Sequence, residues 1–280
     1  MSAAAVLTLP DWVGRRAQTH PTHPAVEGPE GARLSYADLD RQVSLAAGWL
    51  RNQGAQPGSH VALLAGATAN FAILGHAIPR SGATLLPLNA RLTEDELRFQ
   101  LTDARVEIFV ADDAHLALAQ QAAAGTSAVV TNIEGAPWTG ATAISTPSEV
   151  DPDAVHSVMY TSGTTGAPKG AQLTHGNFYW SAVGSAENLG VDAADRWLAC
   201  MPLFHVGGLS ILLRSAIYGT TVVIHDGFDE HRVNTALRSD GVTLLSVVAT
   251  MLRRMLDADE DPYPPTVRAV LVGGGPVSED

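Results

Sequence analysis

Charge is scarce in this 280-residue chain: 16% of residues are charged against a usual value of about 25%, while 46% are hydrophobic, so a substantial core has to be buried. Basic residues are scarcer still, 17 against 29 acidic, for a formal net charge of −12. With no Lys/Arg cluster, the sequence argues against a nucleic-acid partner. The single cysteine, Cys200, excludes an intrachain disulfide; within the apolar run Trp197 to Leu203 it reads as a core thiol rather than a nucleophile. No basic segment precedes the short apolar stretch of MSAAAVLTLPDWVGRR, so no secretory signal is evident and a cytoplasmic location is expected. Val61 to Ile78 is apolar enough to suggest membrane insertion, but Thr68, Asn70 and His76 interrupt it and Gly66 divides it, which fits strand, loop and helix better. His20 and His23, in HPTHP, lack neighbouring carboxylates or thiolates, and a turn is the better reading than a metal site.

What is present alternates, with no fixed-period repeat, and the alternation predicts an α/β fold. Ser35 caps a helix running to about Gln53, Val61 to Ala65 reads as a strand, and Asn70 to Arg80 as a helix. Thr84 to Leu88 is extended; Thr93 and Glu96 form a capping box for a helix reaching about Asp103. A strand at Val106 to Ala111, a helix over Ala114 to Ala124 and a strand at Ala128 to Thr131 follow. The Gly/Pro/Ser/Thr-rich connection from Glu134 to Ser148 is the best internal boundary, near 134–150. Beyond it come a strand from Val155 to Tyr160, a helix over His175 to Asn188, a strand from Arg196 to Met201 and a helix over Leu209 to Tyr218 that ends at Gly219. Val222 to His225, His231 to Ser239, Thr243 to Val248, Met251 to Asp257 and Val267 to Val272 extend the alternation. Ser278-Glu279-Asp280 then has the chemistry that starts a helix.

The most informative stretch is MYTSGTTGAPKG, Met159 to Gly170, directly after the apolar run Val155 to Tyr160. Glycines let backbone N–H groups turn inward as a nest for anions, hydroxyls add rotatable donors, and Lys169 supplies a compact positive charge. That combination points to a nucleotide triphosphate. It is not a Walker A loop, because Lys169 lies between Pro168 and Gly170 with no hydroxyl residue following. A flexible Ser/Thr/Gly linker is the plainer alternative, but a linker does not explain the strand run before it and apolar Ala171 to Leu173 after it.

Tyr160 to Gly170 resembles, without a mismatch, the phosphate-loop signature of the adenylate-forming superfamily of acyl-CoA synthetases, luciferases and peptide-synthetase adenylation domains. A second block, Met201-Pro202-Leu203-Phe204-His205-Val206-Gly207-Gly208-Leu209-Ser210 followed by Arg214 to Gly219, looks like the o-succinylbenzoate-CoA ligases of menaquinone biosynthesis. Pro87-Leu88-Asn89-x-Arg91-Leu92, Ser246 to Leu252, and Leu271 to Pro276 fit the same group. Related acyl-CoA synthetases share parts of these patterns, so another aryl- or fatty-acyl-CoA synthetase, or a non-catalytic nucleotide-binding fragment, stays open.

The resemblance implies layered β-sheets flanked by helices and an ATP-dependent acid-CoA ligase working through an acyl-adenylate. ATP, Mg2+, CoA and a small-molecule carboxylic acid are the implied ligands, and a homo-oligomer is left open. Thr161, Ser162, Gly163, Thr164, Thr165, Gly166 and Lys169 are the implied triphosphate contacts, although Lys169 also reads as a solvated loop lysine. His205 is implied to lie where acid and phosphate meet; an ordinary helix-start histidine is the alternative. Gly207 and Gly208 would permit close ligand approach, and Gly273, Gly274, Gly275 and Pro276 would wall the adenine and aromatic acid, unless they form a plain strand-to-helix turn. Arg214 would attract a second substrate carboxylate or make a surface ion pair. In the superfamily the phosphate loop comes well before the end of a large N-terminal domain that a mobile C-terminal domain follows. Residues 1–280 are therefore expected to be an incomplete N-terminal domain, and the isolated chain nearly inactive in thioester synthesis.

Overall fold

The computed structural model describes residues 8–161, 168–259 and 261–275. Its strands are β1 (Pro24–Glu27), β2 (Arg33–Ser35), β3 (His60–Leu64), β4 (Thr84–Pro87), β5 (Ile108–Ala111), β6 (Val129–Asn132), β7 (Val155–Thr161), β8 (Lys169–Thr174), β9 (Arg196–Ala199), β10 (Thr221–Ile224), β11 (Leu244–Val248) and β12 (Ala269–Gly273). The helices are α1 (Trp12–Thr19), α2 (Tyr36–Asn52), α3 (Ala69–Arg80), α4 (Glu94–Asp103), α5 (Leu116–Ala123), α6 (His175–Leu189), α7 (Val206–Tyr218), α8 (Glu230–Ser239) and α9 (Ala249–Ala258). Two sheets of six strands result, ordered β6-β5-β3-β4-β7-β8 and β12-β11-β9-β10-β1-β2. Each is parallel except at one edge, where β8 and β2 run antiparallel to their neighbours.

Alternation along the strands sorts their side chains between three cores. Val61 and Leu63 of β3 join a central core, whereas Ala62 and Leu64 join an outer one with Leu97 and Leu101 of α4 and Ala119 and Ala122 of α5. In the second sheet Trp197 and Ala199 of β9 face the central core, while Leu198 faces Val233 and Leu237 of α8 and Met255 of α9. Between the two sheets, α1, α2, α3, α6 and α7 also contribute side chains to the central core. The layers therefore run α4 and α5, first sheet, five helices, second sheet, α8 and α9.

Local chemistry starts the helices where the side chains allow. Ser35 with Asp38, Thr93 with Glu96 and Thr174 with Asn177 each close a reciprocal capping box, and Gly219 adopts φ 82° to end α7. Arg80, its side chain 1% exposed, ties three helices together by meeting Asp11 ahead of α1 and Asp40 of α2. The connection 134–150 packs down on α2: Trp138 is fully buried against Trp49 and donates to Gln42, and Ile144 N–H bonds Ser44 O. β7 and β8, which follow it, extend the sheet that β3 to β6 begin.

Three elements that the sequence pattern did not show, α1, β1 and β2, occupy the N-terminal region. β1 pairs in parallel with β10, Val26 opposite Val222, and Tyr36 seals the junction by donating to Ser215 O and Thr220 O at 2.9 and 2.7 Å.

Candidate functional site

Parallel strands leave their carboxyl ends on one edge of a sheet, where ligands of α/β proteins gather. Here the two sheets turn such edges toward a shared region. One cleft, of about 480 Å3, is lined by Ala65–Ala67 after β3, Asn89 to Arg91 after β4, Cys200 to Phe204 after β9, and Asp226 to Phe228 after β10. A second, of about 420 Å3, shares Asn89 and Phe204 with it and extends to Thr161, Pro168, His205 and Val206. Both volumes fall within the range of small-molecule sites.

The phosphate-loop candidates sit at the open end of the β7–β8 hairpin. Thr161 opposes Lys169 and Tyr160 opposes Gly170, the last two cross-strand pairs before residues 162–167. Ser162, Gly163, Thr164, Thr165 and Gly166 lie outside the described residues, as does Pro276. Thr161 lines the second cleft, and Lys169 stands exposed across the hairpin from it. Lys169 is also the chain's only lysine; every other basic residue among the 17 is arginine. An ammonium is a compact, three-donor point charge, which differs from the planar fork of a guanidinium.

His205 is both in the cleft and at a helix start. It is the N-cap of α7, and its Nδ1 accepts from Gly207 N–H at 3.2 Å. With Nδ1 accepting, the neutral ring carries its proton on Nε2, which is the nitrogen left to donate to a carboxylate or phosphate oxygen. The first turn of α7 brings the positive end of the helix dipole to the same place, with the Gly207 and Gly208 N–H groups already bonded to His205.

The neighbouring glycines divide by packing. A Cβ at Gly208 would stand 2.2 Å from Pro202 O and 2.7 Å from Pro202 C, so the turn before α7 itself requires glycine there. At Gly207 the nearest atom is Met201 Cε at 3.1 Å, a flexible side-chain end. Gly273 and Gly275 face open space, and Gly274 has φ 81°, a conformation suited to glycine. They stand at the carboxyl end of β12, beside Val248 of β11, on the same edge as the end of β9 but outside the two clefts described.

Arg214 of α7 is half-buried, its guanidinium carbon 5.1 Å from the centre of the Trp197 ring. Burial lowers its pKa, and no carboxylate lies within ion-pair distance among the described residues. Among those residues its contacts are the Trp197 ring and Ser181 Oγ at 3.5 Å, and it lines neither of the two clefts. Cys200 is buried with its pKa pushed up to about 12, a core thiol as expected. Sequence reasoning missed the α4 wall of the cleft, Glu96 and Gln100, and the bond from Tyr160 to Asp103. The only signal was that the capping box begins α4 a few residues after Asn89.

Among the described residues no helix is long and apolar enough to cross a membrane, and no cluster of His, Cys, Asp and Glu is placed to hold a metal ion. The 2-succinylbenzoate–CoA ligase of Listeria monocytogenes is 39% identical over 272 residues, 97% of this chain and 56% of the relative. That of Geobacillus kaustophilus is 40% identical over 277 residues, 96% of this chain and 54% of the relative. The chain thus spans about half the length of the curated relatives it matches. Among solved structures, o-succinylbenzoate-CoA synthetase of Bacillus subtilis in complex with ATP and magnesium superposes with a TM-score of 0.90 at 34% identity, over 97% of this chain and 56% of that one. The N-terminal domain of FACL13 from Mycobacterium tuberculosis gives 0.87 at 27%, over 96% and 70%. The family model described as AMP-binding enzyme matches residues 13–280, and the chain belongs to that family.

Proposed function

We propose that this chain carries the nucleotide loop and the acid-binding cleft of an ATP-dependent acid-CoA ligase, with o-succinylbenzoate as the acid. The observation that carries this reading is the convergence of Thr161 and Pro168, flanking the phosphate loop, with His205 and the α7 N-terminus on one cleft. The relatives' names supply the acid, and Arg214 supports it as an unpaired guanidinium suited to a second carboxylate.

A carboxylate is a poor electrophile, and activation by ATP removes the difficulty. The carboxylate oxygen attacks the α-phosphorus, the bond to the bridging oxygen breaks, and pyrophosphate leaves. The acyl-adenylate then offers AMP as the leaving group to the CoA thiol. The chain's residues contribute position and charge: Lys169 and Thr161 hold phosphate oxygens, and His205 Nε2–H orients an oxygen of the acid or stabilises charge on the phosphate. The described residues provide no carboxylate cage for Mg2+, so its ligands here would come chiefly from the nucleotide phosphates.

Pyrophosphate release and thioester formation, measured on a protein of the relatives' full length, test the reading. O-succinylbenzoate should give a higher kcat/KM than benzoate or medium-chain fatty acids. A preference for a fatty acid would leave the nucleotide chemistry standing and reject the acid.

A further inference from the structure

Tyr160 lies one cross-strand pair inside Thr161 and Lys169, opposite Gly170. Its ring covers that glycine, since a Cβ at Gly170 would stand 3.3 Å from Tyr160 Cζ. On its other side Phe99 of α4 meets the ring edge-on, with centroids 6.4 Å apart at 77°. The Tyr160 hydroxyl donates to Asp103 Oδ2 at 2.5 Å. Asp103 has no cationic partner among the described residues, so the phenol is the group its carboxylate engages. Glu96, Gln100 and Asp103 recur along one stripe of α4, and the first two line the cleft that holds Tyr160, Thr161 and His205. Burial, then the bond to Asp103, raises the phenol pKa, which keeps it a donor throughout the neutral range.

We propose that Tyr160 is a positioning residue for the phosphate loop: its bond to Asp103 fixes the open end of the β7–β8 hairpin against α4 and thereby sets where Thr161 and Lys169 present their donors. This rests on the reading of Thr161 and Lys169 as phosphate contacts. A hairpin end anchored only by its own ladder would fray, because the last pairs of a two-stranded edge have the fewest neighbours. The hydroxyl–carboxylate bond supplies a fixed point outside the hairpin, and charge-assisted bonds of this kind are the shorter and stronger class.

The test compares ATP with AMP, which lacks the two phosphates the loop would hold. In calorimetric titrations of the 280-residue chain, Tyr160→Phe and Asp103→Ala should each weaken ATP binding about three- to tenfold while leaving AMP within about twofold. The double variant should be no weaker than either single one, and Asp103→Asn, which keeps an acceptor oxygen, should bind ATP nearly as the parent does. Equal losses for ATP and AMP, additive losses in the double variant, or unchanged ATP affinity would each overturn the proposal. Lys169→Ala separates the two readings: weakened ATP binding there with none in Tyr160→Phe rejects the Tyr160–Asp103 anchor alone. No effect of Lys169→Ala, or no ATP binding by the parent chain, rejects the phosphate reading and the anchor with it.

Discussion

Thr161 and Lys169 face each other as the last cross-strand pair before the phosphate loop, so the hydroxyl and the ammonium leave the sheet together. Lys169→Ala should weaken ATP binding about ten- to a hundredfold, the loss of one charge-assisted contact. Because Lys169 is exposed, its replacement should leave the denaturation midpoint unchanged. Thr165→Val should also weaken ATP. Since Lys169 is the only lysine, amine acylation followed by peptide mass mapping reads this one side chain, and ATP should protect it. Full reactivity in saturating ATP would argue against contact.

Two glycines near the site should respond in opposite ways. Gly208→Ala forces a methyl group onto Pro202 O and should cost about 1 to 3 kcal/mol of stability, read from urea denaturation. Gly273→Ala meets no atom within 4 Å and should leave stability within about 0.5 kcal/mol. If Gly273 walls the ligand, that same change should weaken ATP or acid binding; an unaltered titration would assign it to the turn alone.

Arg214→Met keeps the apolar stem beside Trp197 and removes the charge. Affinity for o-succinylbenzoate should fall about tenfold or more, while benzoate, with one carboxylate, should bind as before. Equal losses for the two acids would place Arg214 outside the second-carboxylate contact.

Stability should decline in mild acid. His76 and His156 are buried and His175 half-buried around Trp12, with the last two ring centroids 4.9 Å apart, and Phe178, Asp11, Arg80 and Asp151 complete the surroundings. Burial lowers all three pKa values, to about 4 for His76 and His175, with Asp11 opposing the shift at both and Asp151 at His175. Between about pH 6.5 and 4 the unfolded chain therefore binds more protons than the folded one, and stability falls as pH drops through that window. For His76 alone the loss is roughly 3 kcal/mol across it. Urea midpoints from pH 7.5 to 4.5 measure the slope, and His76→Phe should flatten it. A slope unaffected by that change would show that other groups set the acid limit.

The parts of this fold that were legible in the sequence are those fixed by neighbours in the chain. Ser35 and Thr93 announced α2 and α4 because caps act over three residues. Where a boundary missed, a local bond explains it: Val106 was read as strand, but its N–H closes on Leu101 O and completes the end of α4. α1 was hidden by Gly14 and two arginines in eight residues, and that glycine is needed because a Cβ would meet Thr146 Cγ2 at 2.2 Å. β1 offers only Ala25 and Val26 as buried apolar residues, too short a pattern to identify without its partner β10. At the site, the strand ends and His205 were visible as motif, whereas the α4 wall depends on how a separate helix is laid across the sheet.

The pairing of β1 with β10 bears on how this protein is made. All six strands of the first sheet lie between His60 and Thr174 and leave the ribosome before β9 and β10 are synthesised. β1 and β2, made earlier than any of them, have no sheet to join until Thr221–Ile224 emerges. The N-terminal strands therefore wait paired only with each other, β1 lacking its parallel neighbour, and closing the interval between β1 and the second sheet should be a late step of folding. A nascent chain stalled before residue 221 would expose this unpaired edge and would depend most on chaperone protection at that length.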